Sequence, residues 1–152
     1  MRLQCGELWV RCSLLQLSFV GEWALRIDDC LARMMAIPGA QRVTLVDCAS
    51  GLAVASAGRD DHVERVDQHV DAAGATEVVR SVLGSAALSA TPDGDDVEEI
   101  IVCGADGYHL LALTGPDLDG HLFVHLVVDR EKGNLALARL RMQGLVQEMA
   151  IR

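Results

Sequence analysis

The sequence predicts an α+β domain, an antiparallel sheet with helices on both faces. Segments of helical and strand periodicity follow one another in the order helix, two strands, helix, three strands, helix. Short turns containing Gly or Asp join the consecutive strands, which is typical of antiparallel hairpins. Apolar residues make up 51% of the 152 residues and aromatic residues only 3%, so aliphatic side chains must fill a sizeable core.

The first helix is predicted over residues 22–36. Apolar side chains recur there every three to four residues, which gives the helix one amphipathic stripe. The Pro38-Gly39 pair ends it, because proline lacks the amide that would continue the helix and glycine favours a turn. The stripe consists of Trp23, Ile27, Leu31 and Met34.

A hairpin follows the first helix. Residues 41–47 and 52–57 read as two short strands, and the segment Cys48-Ala49-Ser50-Gly51 between them reads as a turn. The glycine suits a hairpin loop because it tolerates a positive φ angle.

The middle helix is predicted over residues 62–88. Its apolar residues form one stripe as far as Ala73 and a second stripe, shifted around the helix, from Val78 onwards. Gly74 and Gly84 weaken helical structure, so one bent helix and two separate helices both fit the pattern. The first stripe consists of Val63, Val66, Val70 and Ala73, and the second of Val78, Val82 and Ala86.

Three strands and a last helix complete the chain. The strands are predicted over residues 97–103, 108–114 and 121–128, after a loop at 91–96. The third of these strands is almost continuously apolar, as expected of a central strand covered on both faces. Asn134 is suited to cap a helix over residues 135–151.

The charge balance limits the classes of partner. Thirteen basic against 22 acidic side chains give a net charge of −9, which argues against binding nucleic acid or an anionic membrane surface. Lys132 is the only lysine among the basic residues. This bias towards arginine, with much Ala, Gly, Val and Asp, indicates a GC-rich coding genome and a bacterial, actinobacterial source.

Residues 1–21 are predicted to be an N-terminal extension of the domain at residues 22–152. Glu7 and Arg11 interrupt the apolar run that a signal peptide needs, and no Ala-x-Ala cleavage site follows. No stretch reaches the roughly 18 apolar residues of a membrane span, so no membrane insertion is expected. An extension, an extra strand and a mis-called start of translation all fit this segment.

The cysteines favour a cytoplasmic protein. They are widely spaced and form no C-x-x-C pair, so neither a zinc site nor a redox pair is indicated. Reduced thiols in or near the core are the favoured interpretation, and a structural disulfide is the alternative. The cysteines are Cys5, Cys12, Cys30, Cys48 and Cys103.

No arrangement of residues predicts catalysis, a cofactor or a metal site. The chain has no phosphate-binding P-loop, no dinucleotide-binding glycine motif and no nucleophile elbow. His121 and His125 would share a strand face, with Asp119 or His109 as a third metal ligand, but packed histidines are the favoured interpretation. His62 and His69 are expected on a solvated or interface face. The acidic run of Asp93, Asp95, Asp96, Glu98 and Glu99 is expected to be solvated.

Four segments together resemble the roadblock/LC7 domain family. They are IPGAQRVTLVDCASGLAVAS at 37–56, TEVVRSVL at 76–83, VEEIIVCGADGYHLLALTG at 97–115 and LFVHLVVDREKGNLALARL at 122–140. The resemblance implies a five-stranded antiparallel sheet, with the first and last helices on one face and the middle helix on the other. It also implies a homodimer in which two middle helices pack together and the edge strands at 97–103 join the two sheets.

The resemblance implies a non-catalytic homodimeric regulator or adaptor of a small Ras-like GTPase, which acts through protein–protein contacts in signalling. Arg65 or Arg80 could serve as an arginine finger, although a surface role is favoured. A small-molecule sensor module of the PAS or GAF kind and a structural scaffold subunit are the alternatives. The predicted dimer or partner interface consists of Val66, Val70, Ala73, Glu77, Arg80, Glu98, Ile100 and Val102.

Overall fold

The structure, a computed structural model, describes residues 3–5, 8–12, 21–59, 65–115 and 122–150. Seven strands and three helices lie in these ranges. In chain order they are β1 (Leu3–Cys5), β2 (Leu8–Cys12), α1 (Gly21–Met35), β3 (Ala40–Asp47), β4 (Leu52–Arg59), α2 (Arg65–Leu83), β5 (Glu99–Cys103), β6 (Gly107–Leu113), β7 (Leu122–Asp129) and α3 (Leu135–Ala150).

The strands form one sheet in the order β1-β2-β4-β3-β7-β6-β5, and every neighbouring pair is antiparallel. The five predicted strands are therefore contiguous in one antiparallel sheet, which confirms the predicted fold class. The sheet is larger than expected, because two strands from the N-terminal segment add to it. Strand β2 pairs along β4 from Leu8 opposite Arg59 to Cys12 opposite Ala55.

The larger core lies between the sheet and the helix pair α1 and α3. Strand residues of one alternating set, such as Leu45 and Leu126, point to this face and meet apolar residues of both helices. The stripe predicted for the first helix is buried at Ile27, Leu31 and Met34. Two helices thus share one face of the sheet, as predicted.

A smaller core lies under α2 on the opposite face. The alternate residues of the same strands, Val46, Leu111 and Phe123, pack there against Ala72 and Val79. The contact side of α2 consists mainly of Ala72, Ala75, Thr76 and Val79. The mostly small side chains of this side let the helix lie close to the sheet, whereas Val70 and Val78 lie on its exposed sides.

The structure corrects the boundaries of the middle helix. It is one helix that continues through Gly74, and it ends at Leu83 rather than at residue 88. Beyond the Gly84 amide, which donates to the Arg80 carbonyl, the chain turns, and the Leu88 side chain is exposed. The helix ends where no further apolar side chain reaches the sheet. The predicted start at residues 62–64 lies outside the described residues.

Two glycines allow the turn before β3 to pack against the turn before α3. Gly39 has a φ angle of +83°, and a Cβ atom there would lie 2.6 Å from the Gly133 Cα. A Cβ atom on Gly133 would overlap the Val128 side chain and lie 2.7 Å from the Asp129 carbonyl oxygen. The Asp129 amide donates to the Gly39 carbonyl at 2.8 Å, so the two turns are joined by their backbones.

We expect Gly133→Ala to lower the free energy of unfolding by about 2–3 kcal/mol, because the added methyl group must displace backbone. Gly144→Ala in α3 is the matched control, since a Cβ atom there has nothing within 4 Å. The free energy of unfolding of Gly144→Ala should rise by up to about 1 kcal/mol, because alanine has a higher helix propensity than glycine. Urea denaturation of both variants measures the difference, and equal stabilities would contradict the proposed close approach of the turns.

Candidate interaction surface

The side of α2 that faces away from the sheet is partly apolar and exposed. Val70 has 64% of its surface exposed, and Ala73, Gly74 and Glu77 are exposed on the same side of the helix. The Val66 side chain is outside the described part of the structure. Exposed valines cost solvation free energy in an isolated chain, so this side of α2 has the character of a contact surface.

Strand β5 forms one edge of the sheet. It pairs with β6 and has no second neighbour among the described strands, so its outer N–H and C=O groups are available for pairing. Glu98 before the strand is exposed, Ile100 packs into the small core under α2, and Val102 has 43% of its surface exposed.

The sheet face that carries α2 is only partly covered by that helix. Helix α2 packs mainly over β3 and β4, away from the β5 edge. Val102 lies opposite His109 of β6, and both residues are left partly exposed on this face. In the part of the chain that the structure describes, a stretch of this sheet face at Val102 and His109 is therefore left partly uncovered between α2 and the edge of β5.

Arg80 is held by the turn between β3 and β4. Its Nε atom donates to the Cys48 carbonyl at 3.1 Å, and one terminal nitrogen donates at 2.6 Å to the carbonyls of both Cys48 and Ala49. Asp47 shapes the same turn by accepting from the Ala49 amide and the Ser50 hydroxyl. The Arg80 guanidinium thus ties α2 to the hairpin.

Val78 belongs to this surface, although the interface prediction leaves it out. It is two residues from Arg80, which places it on the other flank of the helix, and its side chain is exposed. The shifted stripe that begins at Val78 is the sequence signal for it. A single helix through Gly74 brings Val70 and Val78 onto one continuous surface.

Two histidines meet on the face of the sheet that carries α2. Nδ1 of His109 lies 3.0 Å from Nε2 of His125. The ring centroids are 5.3 Å apart and the ring planes differ by 27°. The two nitrogens are in hydrogen-bonding distance while the ring centres are well separated, so the rings lie end to end and are not stacked face to face. The N–H of one ring therefore points at the nitrogen lone pair of the other.

The surroundings of the histidine pair disfavour positive charge. His125 is almost fully buried, while His109 is only half-buried. Burial lowers the pKa of His125 to about 4, and positive charge on His109 and Arg42 adds to the effect. Arg42 in turn forms an ion pair with Asp71 of α2 at 2.6 Å, so that carboxylate already has a cationic partner.

We expect the free energy of unfolding to fall as the pH drops from about 6.5 towards 4, because His125 binds a proton in the unfolded chain throughout that window but not in the folded chain. The contribution of neutral His125 to the free energy of unfolding is fully present above the pKa of histidine in the unfolded chain. It decreases as the pH falls below that value. Chemical denaturation at several pH values measures the slope. His125→Gln should flatten it, and an unchanged slope in that variant would contradict the assignment.

The acidic run beside β5 is more structured than predicted. The Asp96 carboxylate accepts from the Ser89 hydroxyl at 2.6 Å, the Thr91 hydroxyl at 2.9 Å and the Ala90 amide at 2.8 Å. These hydrogen bonds hold the pKa of Asp96 far below its usual range. Glu99 forms an ion pair with Arg139 of α3. The run is exposed as expected from Asp93 to Glu98, although Asp96 is also hydrogen-bonded. The expectation is wrong at Glu99, whose side chain is only 17% exposed and is paired with Arg139.

The described residues contain no group of three or more His, Cys, Asp or Glu side chains placed to hold a metal ion. Asp119 and His121 of the metal alternative lie outside the described residues, as does His62. Among the helices that the structure describes, none is long and apolar enough to cross a membrane.

The comparisons with known proteins identify the fold. No protein-family model matches the chain, and no curated protein matches it in sequence. Among solved structures, Myxococcus xanthus MglB is similar with a TM-score of 0.70 and 21% identity, over 90% of this chain and 92% of that one. An MglB with a tetrameric arrangement is similar with a TM-score of 0.71 and 17% identity, over 92% and 94% of the two chains.

A third solved structure, a roadblock/LC7 domain from Streptomyces avermitilis, is similar with a TM-score of 0.63 and 17% identity, over 80% of this chain and 92% of that one. All three likenesses extend over most of both chains. The chain therefore has the roadblock/LC7 fold.

Proposed function

We propose that this protein is a non-catalytic, homodimeric regulator or adaptor of a small Ras-like GTPase. The observation that carries the proposal is the exposed side of α2, with Val70 at its centre, next to the open edge strand β5 on a roadblock/LC7 fold. The fold alone does not determine a function, so the proposal depends on this exposed surface of α2 and β5.

The surface suits a second copy of the chain. Antiparallel pairing of two β5 strands about a two-fold axis would continue the sheet through both chains, because the same edge is present on each copy. Exposed Ala73 and Gly74 would let a second α2 helix approach closely beside Val70. Self-assembly also agrees with the similar MglB whose structure has a tetrameric arrangement.

A GTPase partner follows from the resemblance to the roadblock/LC7 family, whose members regulate or scaffold small Ras-like GTPases. In this proposal the dimer contacts the GTPase through its surface and biases the switch segments of the GTPase. Arg80 does not act as an arginine finger in it, because its guanidinium is bound to the carbonyls of Cys48 and Ala49.

A nucleotide-fluorescence titration tests the partner directly. Each Ras-like GTPase encoded by the same genome is loaded with a fluorescent GDP or a fluorescent, non-hydrolysable GTP analogue, and the wild-type chain is added. We expect the anisotropy of one GTPase to rise saturably in one nucleotide state more than in the other. No change with any of these GTPases in either state would contradict the proposed function.

A further inference from the structure

Strand β4 would be an edge of the sheet without the strands of the N-terminal segment. One of its sides pairs with β3, and its other side pairs with β2. The stretch from Leu52 to Gly58 contains no proline and no charged residue, which are features that protect an edge strand from pairing with another chain. The residues from Ala55 to Gly58 are buried and have small side chains. An uncovered β4 would therefore be a good template for a further strand.

Strand β2 covers this side of β4. Five consecutive residue pairs join the two strands, from Leu8 opposite Arg59 to Cys12 opposite Ala55. Strand β2 also lies against helix α1, so the cover contacts a second element of the fold. Strand β1 pairs with the far side of β2 over only three residues, Leu3–Cys5, and has no second neighbour among the described strands. The β1–β2 pair thus replaces a long edge by a short one, which is a poorer template for pairing.

The number of open edges decides the form of the assembly. In the proposed dimer the β5 edges of two chains pair about a two-fold axis, and the edge of each chain is used once. A chain that also exposed β4 would carry a second self-complementary edge on the opposite side of the sheet. Alternating β5–β5 and β4–β4 contacts would then add chains without limit, because the two contacts together form no closed ring. A covered β4 edge leaves only the closed dimer.

We propose that the β4 edge is a second self-association surface, which the β1–β2 pair covers within the same chain. While the pair is in place, assembly stops at the dimer through β5. When the pair is displaced, the β4 edge of one chain binds the β4 edge of a second copy. The limit to a dimer rests on the proposed function, because it requires the β5 contact. The β4 contact is independent of it and can be measured in chains that lack the β5 contact.

A full-length variant with two prolines in β2 tests the proposal. Trp9 lies opposite Gly58 of β4 and Gln4 of β1, and Val10 follows it in the strand. Neighbouring amides of a strand point to opposite sides, so Trp9→Pro with Val10→Pro removes one donor towards each partner strand. In a Val70→Arg background we expect sedimentation velocity to give about twice the mass of the Val70→Arg chain alone. With Val70 retained, we expect species larger than the dimer, whose mass grows with concentration.

Trp9→Tyr with Val10→Ile is the matched control. It changes the same two side chains but keeps both amides and two residues of high strand propensity, so it should assemble like its parent chain. Circular dichroism with thermal unfolding shows which variants are folded. A folded proline variant that stays monomeric in the Val70→Arg background at every concentration would overturn the proposal, as would equal masses for the proline variant and its control.

Hydrogen exchange in the wild-type chain needs no substitution. Strand β3 can protect only alternate amides of β4, so slow exchange of the other amides between Ala55 and Arg59 requires pairing with β2. We expect slow exchange in both sets, and fast exchange in the set that faces β2 overturns the proposal whether or not the proline variant folds. A monomeric wild-type chain contradicts the proposed dimeric function, whereas a doubled mass of the proline variant in the Val70→Arg background still supports the β4 surface.

Discussion

Val70→Arg is expected to give a folded monomer. In the proposed dimer Val70 faces the second α2 helix, so the variant would bring two guanidinium groups together in a desolvated contact without a counter-charge. We expect the dimer Kd to rise at least about 100-fold, which corresponds to about 3 kcal/mol. In the separated chain Val70 is 64% exposed, so the arginine is solvated and the fold is retained. Sedimentation velocity gives the mass, and circular dichroism gives the fold.

Leu140→Arg is the matched control for this variant. Leu140 lies on α3, on the other face of the sheet, and has 70% of its surface exposed. The same change of an exposed aliphatic residue to arginine should leave the dimer intact there. A Val70→Arg chain that is folded and still dimeric, with an affinity like that of Leu140→Arg, would contradict the placement of the dimer on α2.

Phe123→Ala is expected to lower the free energy of unfolding by about 3–5 kcal/mol. Phe123 is fully buried on β7 and is the largest side chain in the small core, where it packs with Val46, Leu111 and Val79 under α2. Truncation would leave a cavity that α2, already close to the sheet through its small residues, has little freedom to fill. The expected loss is a large share of the stability of an ordinary domain.

The measurement for Phe123→Ala is urea denaturation in the Val70→Arg background, so that unfolding is not coupled to dissociation. Leu52→Ala is the control, since Leu52 begins β4 with an exposed side chain, and it should change stability by less than about 1 kcal/mol. A loss below about 1 kcal/mol for Phe123→Ala would show that α2 does not pack on the sheet as described.

Much of the fold could be predicted because local sequence signals agree with it. Every predicted strand is present, and the stripe at Ile27, Leu31 and Met34 is buried as its spacing indicates. The continuous apolar run in β7 marks the strand that lies between β3 and β6. The end of α2 was harder to predict, because helical spacing continues past Gly84 while the contacts with the sheet do not.

The candidate surface was only partly predictable, because long-range packing decides which side of a helix is buried. The valine stripe of α2 gives an amphipathic signal, but its side towards the sheet consists mainly of alanines, Thr76 and Val79, whereas Val70 of the predicted stripe is exposed. The contacts of Arg80 with the 48–49 turn and of His109 with His125 join residues 31, 32 and 16 positions apart. No local spacing pattern reports such pairs, so they could only be found in the structure.

The most direct test of the central claim is a capture experiment from the organism that makes this protein. The tagged wild-type chain, shown to be dimeric beforehand, is incubated with lysate that contains GDP or a non-hydrolysable GTP analogue, and bound proteins are identified by mass spectrometry. The account predicts that a small Ras-like GTPase is enriched in one nucleotide state over the other and over untagged resin. A dimeric chain that captures no such GTPase in either state would contradict it.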